Sequence, residues 1–197
     1  MLAGIHELFN NARMRAFMMK ARRPAGLVVL LGALILIRRE WFWYGLAVSA
    51  VGEALQVWCF SSLHKEAEVS FNGPYSVVRN PMYLARFLLL FGILMWFRNP
   101  WVLGVFTLVY YFYMVNRVRR EEKTLTKLLG EPYVEYTKKI HRFVPWFPPY
   151  PGSRFLYFNA AFFKKNHAMS NAVACAIFYA LAYVSTYVID LPGRVLG

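Results

Sequence analysis

Five apolar runs dominate this chain, at residues 24–37, 41–63, 82–97, 101–115 and 172–188. No other feature restricts the fold as much, because a backbone in hydrocarbon must satisfy its own N–H and C=O groups, and a helix does so within one segment. A hydrophobic share of 58% against 17% charged residues is more than a water-soluble domain of 197 residues can readily hide. The chain therefore reads as an all-α integral membrane protein with about five transmembrane helices. The first run is short for a hydrocarbon core that needs about 20 residues, so its flanking arginines must snorkel. The third and fourth runs, separated by Arg98, Asn99 and Pro100, read as a tight helical hairpin.

Residues 1–23 hold Arg13, Arg15, Lys20, Arg22 and Arg23 between Ile5, Leu8, Phe9, Met14, Phe17 and Met18, the pattern of a basic interfacial helix. Arg38, Arg39 and Glu40 follow the first run without a small-residue cleavage site, so it is expected to be an uncleaved span, not a signal peptide. Lys and Arg number 23 against 10 Asp and Glu, a net charge of +13. These cations flank apolar segments, which suits anionic lipid headgroups and argues against nucleic acid as a partner. With the N-terminus in the cytoplasm, inner segments carry 18 Lys and Arg and outer segments carry 4, a clear positive-inside bias. Segments 64–82 and 117–171 then face the cytoplasm together. Cys59 and Cys175 lie in apolar stretches without metal-ligand spacing and read as small hydrophobes, so no metal site is expected.

Three polar groups carry the candidate chemistry. Glu53 and Gln56 share one helix face in the second run, and a carboxylate at membrane depth marks either a functional cavity or a packing contact, here with Arg86 as partner. Gly73-Pro74-Tyr75 is a turn, and Asn80-Pro81 sets an extended residue before a helix that starts on proline. The free N–H groups of that helix end suit a carboxylate or a phosphate. Arg117, Glu121 and Leu125 step by four, with Glu122 one position round, so an amphipathic helix emerges from the fourth run. It ends at Gly130, and Pro132 stops its continuation. Tyr133, Tyr136 and the aromatics of residues 143–147 then stand ready to cover a site near the interface. His64 is a further titratable group, at headgroup level or as a base.

Together these residues resemble the isoprenylcysteine carboxyl methyltransferase family and its phospholipid methyltransferase relatives. The family pattern G-P-Y-x-x-x-R-[HN]-P-x-Y appears as Gly73-Pro74-Tyr75, Arg79-Asn80-Pro81 and Tyr83. After a hairpin, R-x-x-x-E-E-x-x-L appears as Arg117, Glu121, Glu122 and Leu125, followed by Gly130, Tyr133, Tyr136 and the closing "HRFVPWFP" with Arg142, Phe143 and Pro145. The likeness covers about residues 45–148, within one membrane-embedded domain of 1–197. It leaves out the interfacial segment 1–23 and an extra C-terminal segment, 149–197, with its own span.

The resemblance implies S-adenosyl-L-methionine as methyl donor, bound on the cytoplasmic side, and a lipidic or prenylated acceptor arriving from the membrane. Tyr75, Arg79, Asn80, Pro81 and Tyr83 would form one wall of the donor pocket and Glu121, Glu122 and Leu125 another, with Tyr133 and Tyr136 as a cap. Arg79, Asn80 and Glu53 are the expected catalytic residues, and a bacterial or archaeal inner membrane is the expected location. Glu122→Gln should then weaken donor affinity without unfolding the protein. Three positions depart from the pattern: Asn80 stands for the histidine of eukaryotic members, Ala85 for glycine, and Gln56 for an arginine common in relatives. The alternatives are an NADPH-dependent enzyme like the sterol reductases and a membrane scaffold that kept the fold without the reaction.

Overall fold

The computed structural model describes residue 7 and residues 11–64, 68–191 and 193, and every regular element among them is a helix. Helix α1 spans Ala12–Leu36, α2 Phe42–Ser62, α3 Pro81–Met95, α4 Pro100–Leu129, α5 Glu131–Lys139, α6 Ala160–Lys165 and α7 Ala168–Tyr183. A π-helical turn, Val184–Val188, prolongs α7. Two of these helices are both long and apolar enough to cross a membrane, Pro100–Leu129 and Ala168–Val188, and the shorter apolar stretches Gly26–Leu36 and Pro81–Met95 accompany them.

The expected break between an interfacial helix and the first span is absent. Helix α1 starts where Asn11 caps it, its side chain accepting from the amides of Arg13 and Met14, and then runs through Pro24 to Leu36. An interior proline deletes one helical hydrogen bond, yet beside a membrane the helix is still the conformation that leaves fewest backbone groups unpaired. Of the interfacial residues proposed from sequence, Ile5, Leu8 and Phe9 lie outside the described residues.

The boundaries of the hairpin follow local chemistry. Helix α3 begins on Pro81 and α4 on Pro100, each placing the missing N–H where a helix has no acceptor for it. Asn99 caps α4 by accepting from the amides of Trp101 and Val102 at 3.0 and 3.3 Å. Helix α4 is continuous from the apolar run into the charged one, and Gly130 ends it with φ +63°. Pro132 does more than halt it: it sits in the first turn of a new helix, α5, where a proline is tolerated.

The chain divides into two compact units built from separated segments. The first takes Met1–Ser49, Leu90–Arg117 and Ile177–Gly197. At its centre Trp96 is fully buried, stacks on Phe42 at 5.5 Å between ring centroids, and donates its indole N–H to the Phe42 carbonyl at 2.9 Å. Tyr183 and Tyr187 present their rings edge-on to Phe42, an arrangement favoured by the aromatic quadrupole.

The second unit takes Ala50–Leu89 and Val118–Ala176. Here α2 and α3 approach so closely that a Cβ on Gly52 would meet the Ala85 carbonyl oxygen at 2.8 Å. The fully buried Ala85 therefore lies at a helix–helix seam. The segment after α5 laces back onto residues 73–79 through backbone bonds: Arg79 N–H to His141 O, Trp146 N–H to Val77 O, Tyr150 N–H to Ser76 O and Gly73 N–H to Arg154 O, each 2.8 or 2.9 Å. Gly73 adopts φ +62°, and a Cβ there would collide with the Ser62 hydroxyl. Gly73→Ala is accordingly expected to destabilise the protein by about 1–2 kcal/mol from the left-handed backbone alone. The check is thermal unfolding in detergent; an unchanged melting temperature would contradict it.

Candidate functional site

Glu122 centres a polar cluster in the second unit. It is only 7% exposed, so its carboxylate has to be compensated by neighbouring groups. Arg142 reaches Oε2 with Nε at 2.9 Å and Nη2 at 2.5 Å, a two-pronged contact suited to its planar fork. Arg79 Nη1 lies 3.4 Å from Oε1. Asn80 Nδ2 donates to the same oxygen at 3.2 Å and to the Arg142 carbonyl at 3.3 Å. On the neighbouring position, Glu121 Oε2 accepts from the Tyr83 hydroxyl at 2.7 Å.

The turn before α3 and the double-glutamate stretch of α4 thus meet residue to residue, 42 positions apart in sequence for Asn80 and Glu122. Two guanidiniums share the one Glu122 carboxylate, so those three side chains together carry a net positive charge. Arg79 Nε is buried and has no hydrogen-bond partner. A buried donor without an acceptor costs about 1–3 kcal/mol, more when charged. An anionic or polar ligand would remove that cost.

An apolar layer braces this cluster. Tyr133, Tyr136 and Ile140 of α5 and its C-cap are buried, with Val69, Phe71, Leu125, Leu129 and Tyr150 packed on them. Tyr136 donates its hydroxyl to the Tyr75 carbonyl at 2.6 Å, which ties α5 to the turn that precedes Arg79. Leu125, Tyr133 and Tyr136, expected from the sequence as pocket wall and cap, pack together in this layer. Tyr75 is buried as well, and burial raises its phenol well above the ordinary range.

Burial first, and the nearby Glu122 carboxylate second, push Tyr133 up to about 12. A phenol whose pKa rises on folding contributes stability that is complete below its unfolded value of about 10. As pH climbs past that value the unfolded chain releases the proton first, and the contribution is lost as pH passes through about 12. Unfolding midpoints recorded at pH 8 and pH 11 should therefore fall with pH in the native chain. They should fall less in Tyr133→Phe, and an identical fall in both would contradict the assignment.

Glu53 belongs to a separate group in the same unit. It is 8% exposed and accepts from Asn171 Nδ2 at 3.1 and 3.2 Å, from Gln56 Nε2 at 3.4 Å and from Cys175 Sγ at 3.4 Å. The shared helix face of Glu53 and Gln56 is realised. Arg86, the partner expected for a packing role, is exposed and donates instead to Met82 Sδ at 3.3 Å. His64 packs its ring on Phe162 at 4.9 Å between centroids, with Nδ1 buried and unpartnered.

Arg142, Asn171 and Cys175 are site residues that the sequence reading left out. Arg142 lay in the quoted "HRFVPWFP" and was legible as part of that motif. Asn171 had no comparable signal, because a single asparagine near the start of an apolar run reads as a helix end.

An all-helical chain with long apolar helices and a polar cluster built from a prolyl turn and a double glutamate is the type of protein defined so far. The model of the phospholipid methyltransferase family matches residues 27–132, and the chain belongs to this family. Family and apolar helices together make it an integral membrane protein. The protein-S-isoprenylcysteine O-methyltransferase of Saccharomyces cerevisiae is 34% identical over 74 residues, 38% of this chain and 31% of that protein. The protein of the same name from Schizosaccharomyces pombe is 28% identical over 102 residues, 52% of this chain and 43% of the relative. The methanethiol S-methyltransferase of Pseudomonas deceptionensis is 34% identical over 94 residues, 46% of this chain and 34% of the relative. The chain thus spans less than half the length of these curated relatives. No solved structure matches it.

Proposed function

We propose that this protein transfers a methyl group from S-adenosyl-L-methionine to a lipidic acceptor at the cytoplasmic face of a membrane, with about five helices crossing. The observation that carries this reading is the buried, unpartnered Arg79 Nε beside the Glu121–Glu122 pair, a site with both cationic and anionic groups to offer. The donor has the complementary set: a carboxylate, an ammonium group and ribose hydroxyls. Arg79 and the N–H groups at the start of α3 suit its carboxylate. Glu121, oriented by Tyr83, suits the ammonium group or the ribose hydroxyls, and Asn80 supplies a neutral amide. Glu122 fixes Arg79 and Arg142, while Tyr75, Leu125, Tyr133 and Tyr136 keep the cluster rigid from below.

When bound, the donor supplies an electrophilic methyl on a sulfonium, so the protein's task is positioning and exclusion of water. A carboxylate acceptor needs no base. An acceptor that must lose a proton needs one, and Glu53 is the carboxylate set deepest in the apolar helices for that role. The names of the yeast relatives support a prenylated cysteine carboxylate as acceptor, and the family name supports a phospholipid headgroup. The Pseudomonas relative favours a second reading, a small thiol. Incubating the purified protein with radiolabelled donor and, in turn, total lipid extract, a farnesylated cysteine or methanethiol tests all three. Label in an extractable lipid supports the first reading, label in dimethyl sulfide the second, and no transfer from a donor shown to bind would overturn both.

A further inference from the structure

We propose that the segment from Val144 to Phe158 is an interfacial surface that binds an anionic lipid leaflet. This segment lies outside every helix, yet its large apolar side chains face outward: Val144 and Phe147 are each 63% exposed, Leu156 88% and Phe158 61%. They are not loosely held. Backbone bonds from Trp146 and Tyr150 to Val77 and Ser76, and the bond from Trp58 Nε1 to the Tyr157 carbonyl at 3.0 Å, fix the segment at both ends. Phe147 and Phe155 meet at 6.2 Å between centroids, which joins the two ends into one patch. A rigid, exposed patch of this kind calls for a partner that covers it.

Charge identifies that partner. Between Lys138 and Lys165 the chain carries six Lys and Arg and no Asp or Glu. Arg154, Lys164 and Lys165 are exposed beside the apolar residues. Aromatic and aliphatic side chains interleaved with cations match a leaflet with acyl chains below and anionic headgroups at its surface. Because the patch is hydrogen-bonded to residues 76 and 77, leaflet binding also sets the height of the adjoining Arg79–Glu122 cluster at the interface. The proposal holds whichever acceptor is methylated, and its readout is independent of turnover.

The test uses the whole 197-residue chain, with Cys59→Ser and Cys175→Ser, spin-labelled in turn at Leu156→Cys, Phe158→Cys and Glu131→Cys. The protein is reconstituted in phosphatidylcholine liposomes with or without phosphatidylglycerol. In the anionic liposomes, labels at 156 and 158 should favour oxygen over a water-soluble nickel chelate by about threefold relative to 131, as buried interfacial groups do. Removing phosphatidylglycerol, or introducing Arg154→Glu with Lys164→Glu and Lys165→Glu, should reduce that ratio. Ratios equal to that at 131 would overturn the proposal. So would dipolar broadening between labels, which would mean that a second copy covers the patch, or a ratio indifferent to phosphatidylglycerol.

Discussion

Replacing Arg79 by alanine is expected to lower methyl transfer by at least about 100-fold, a change of about 2.7 kcal/mol in the barrier. Charge-assisted hydrogen bonds to buried groups are worth about 1.5–3 kcal/mol each, and Arg79 has a buried Nε with no protein acceptor. Folding should survive, because Arg142 keeps both of its bonds to Glu122 when Arg79 is gone. Arg79→Lys should fail nearly as badly, since an ammonium cannot reproduce the planar fork. The measurement is the rate of label transfer from radiolabelled donor, alongside a melting curve in detergent. Wild-type rates in Arg79→Ala would reduce Arg79 to a headgroup anchor and remove it from the site.

Glu122→Ala is expected to be the most destabilising single change in the cluster. It would leave Arg79, with its side chain 13% exposed, and the half-buried Arg142 without their shared carboxylate. Breaking a buried ion pair on one side costs about 3–5 kcal/mol, and the partial exposure of Arg142 puts this case near the lower limit. The sequence alone suggests that Glu122→Gln would weaken donor affinity without unfolding the protein. The two arginines add a cost in stability to that expectation, because the amide keeps an acceptor but loses the charge that holds them. Glu121→Gln is the informative contrast: it is half-buried, and its amide would still accept from the Tyr83 hydroxyl that orients it. Thermal unfolding of the three variants should show a large loss for Glu122→Ala, a smaller one for Glu122→Gln and little for Glu121→Gln. Equal melting temperatures would refute the hub role of Glu122.

Much of this arrangement was legible in the residues. Pro81 and Gly130 mark helix limits because each has a backbone property that only one position of a helix accommodates. Glu53 and Gln56 share a face because a spacing of three residues leaves no alternative on a helix. The meeting of Asn80 with Glu122 was inferable only from the distribution of positive charge, which assigns both segments to one side, and from their shared motif. The partner of Glu53 was not inferable, since Asn171 is 118 residues away and any exposed or buried cation, Arg86 included, satisfied the same sequence. The continuity of α1 through Pro24 was missed for a related reason. Proline is a strong local signal for a boundary, and the surroundings that override it are absent from a local reading. The burial of Tyr133 and Tyr136 was not legible because an aromatic next to a site looks the same in sequence whether it is exposed or packed.

The claim on which everything else depends is that the Arg79–Asn80 turn and the Glu121–Glu122 stretch hold S-adenosyl-L-methionine between them. Calorimetric titration of this donor, and of its demethylated product, into the purified protein in detergent tests it without reference to any acceptor. The expected result is one saturable site with a Kd of about 1–100 µM, weakened at least tenfold by Glu121→Gln. Absence of binding by both compounds at about 1 mM, with the protein folded, would contradict it.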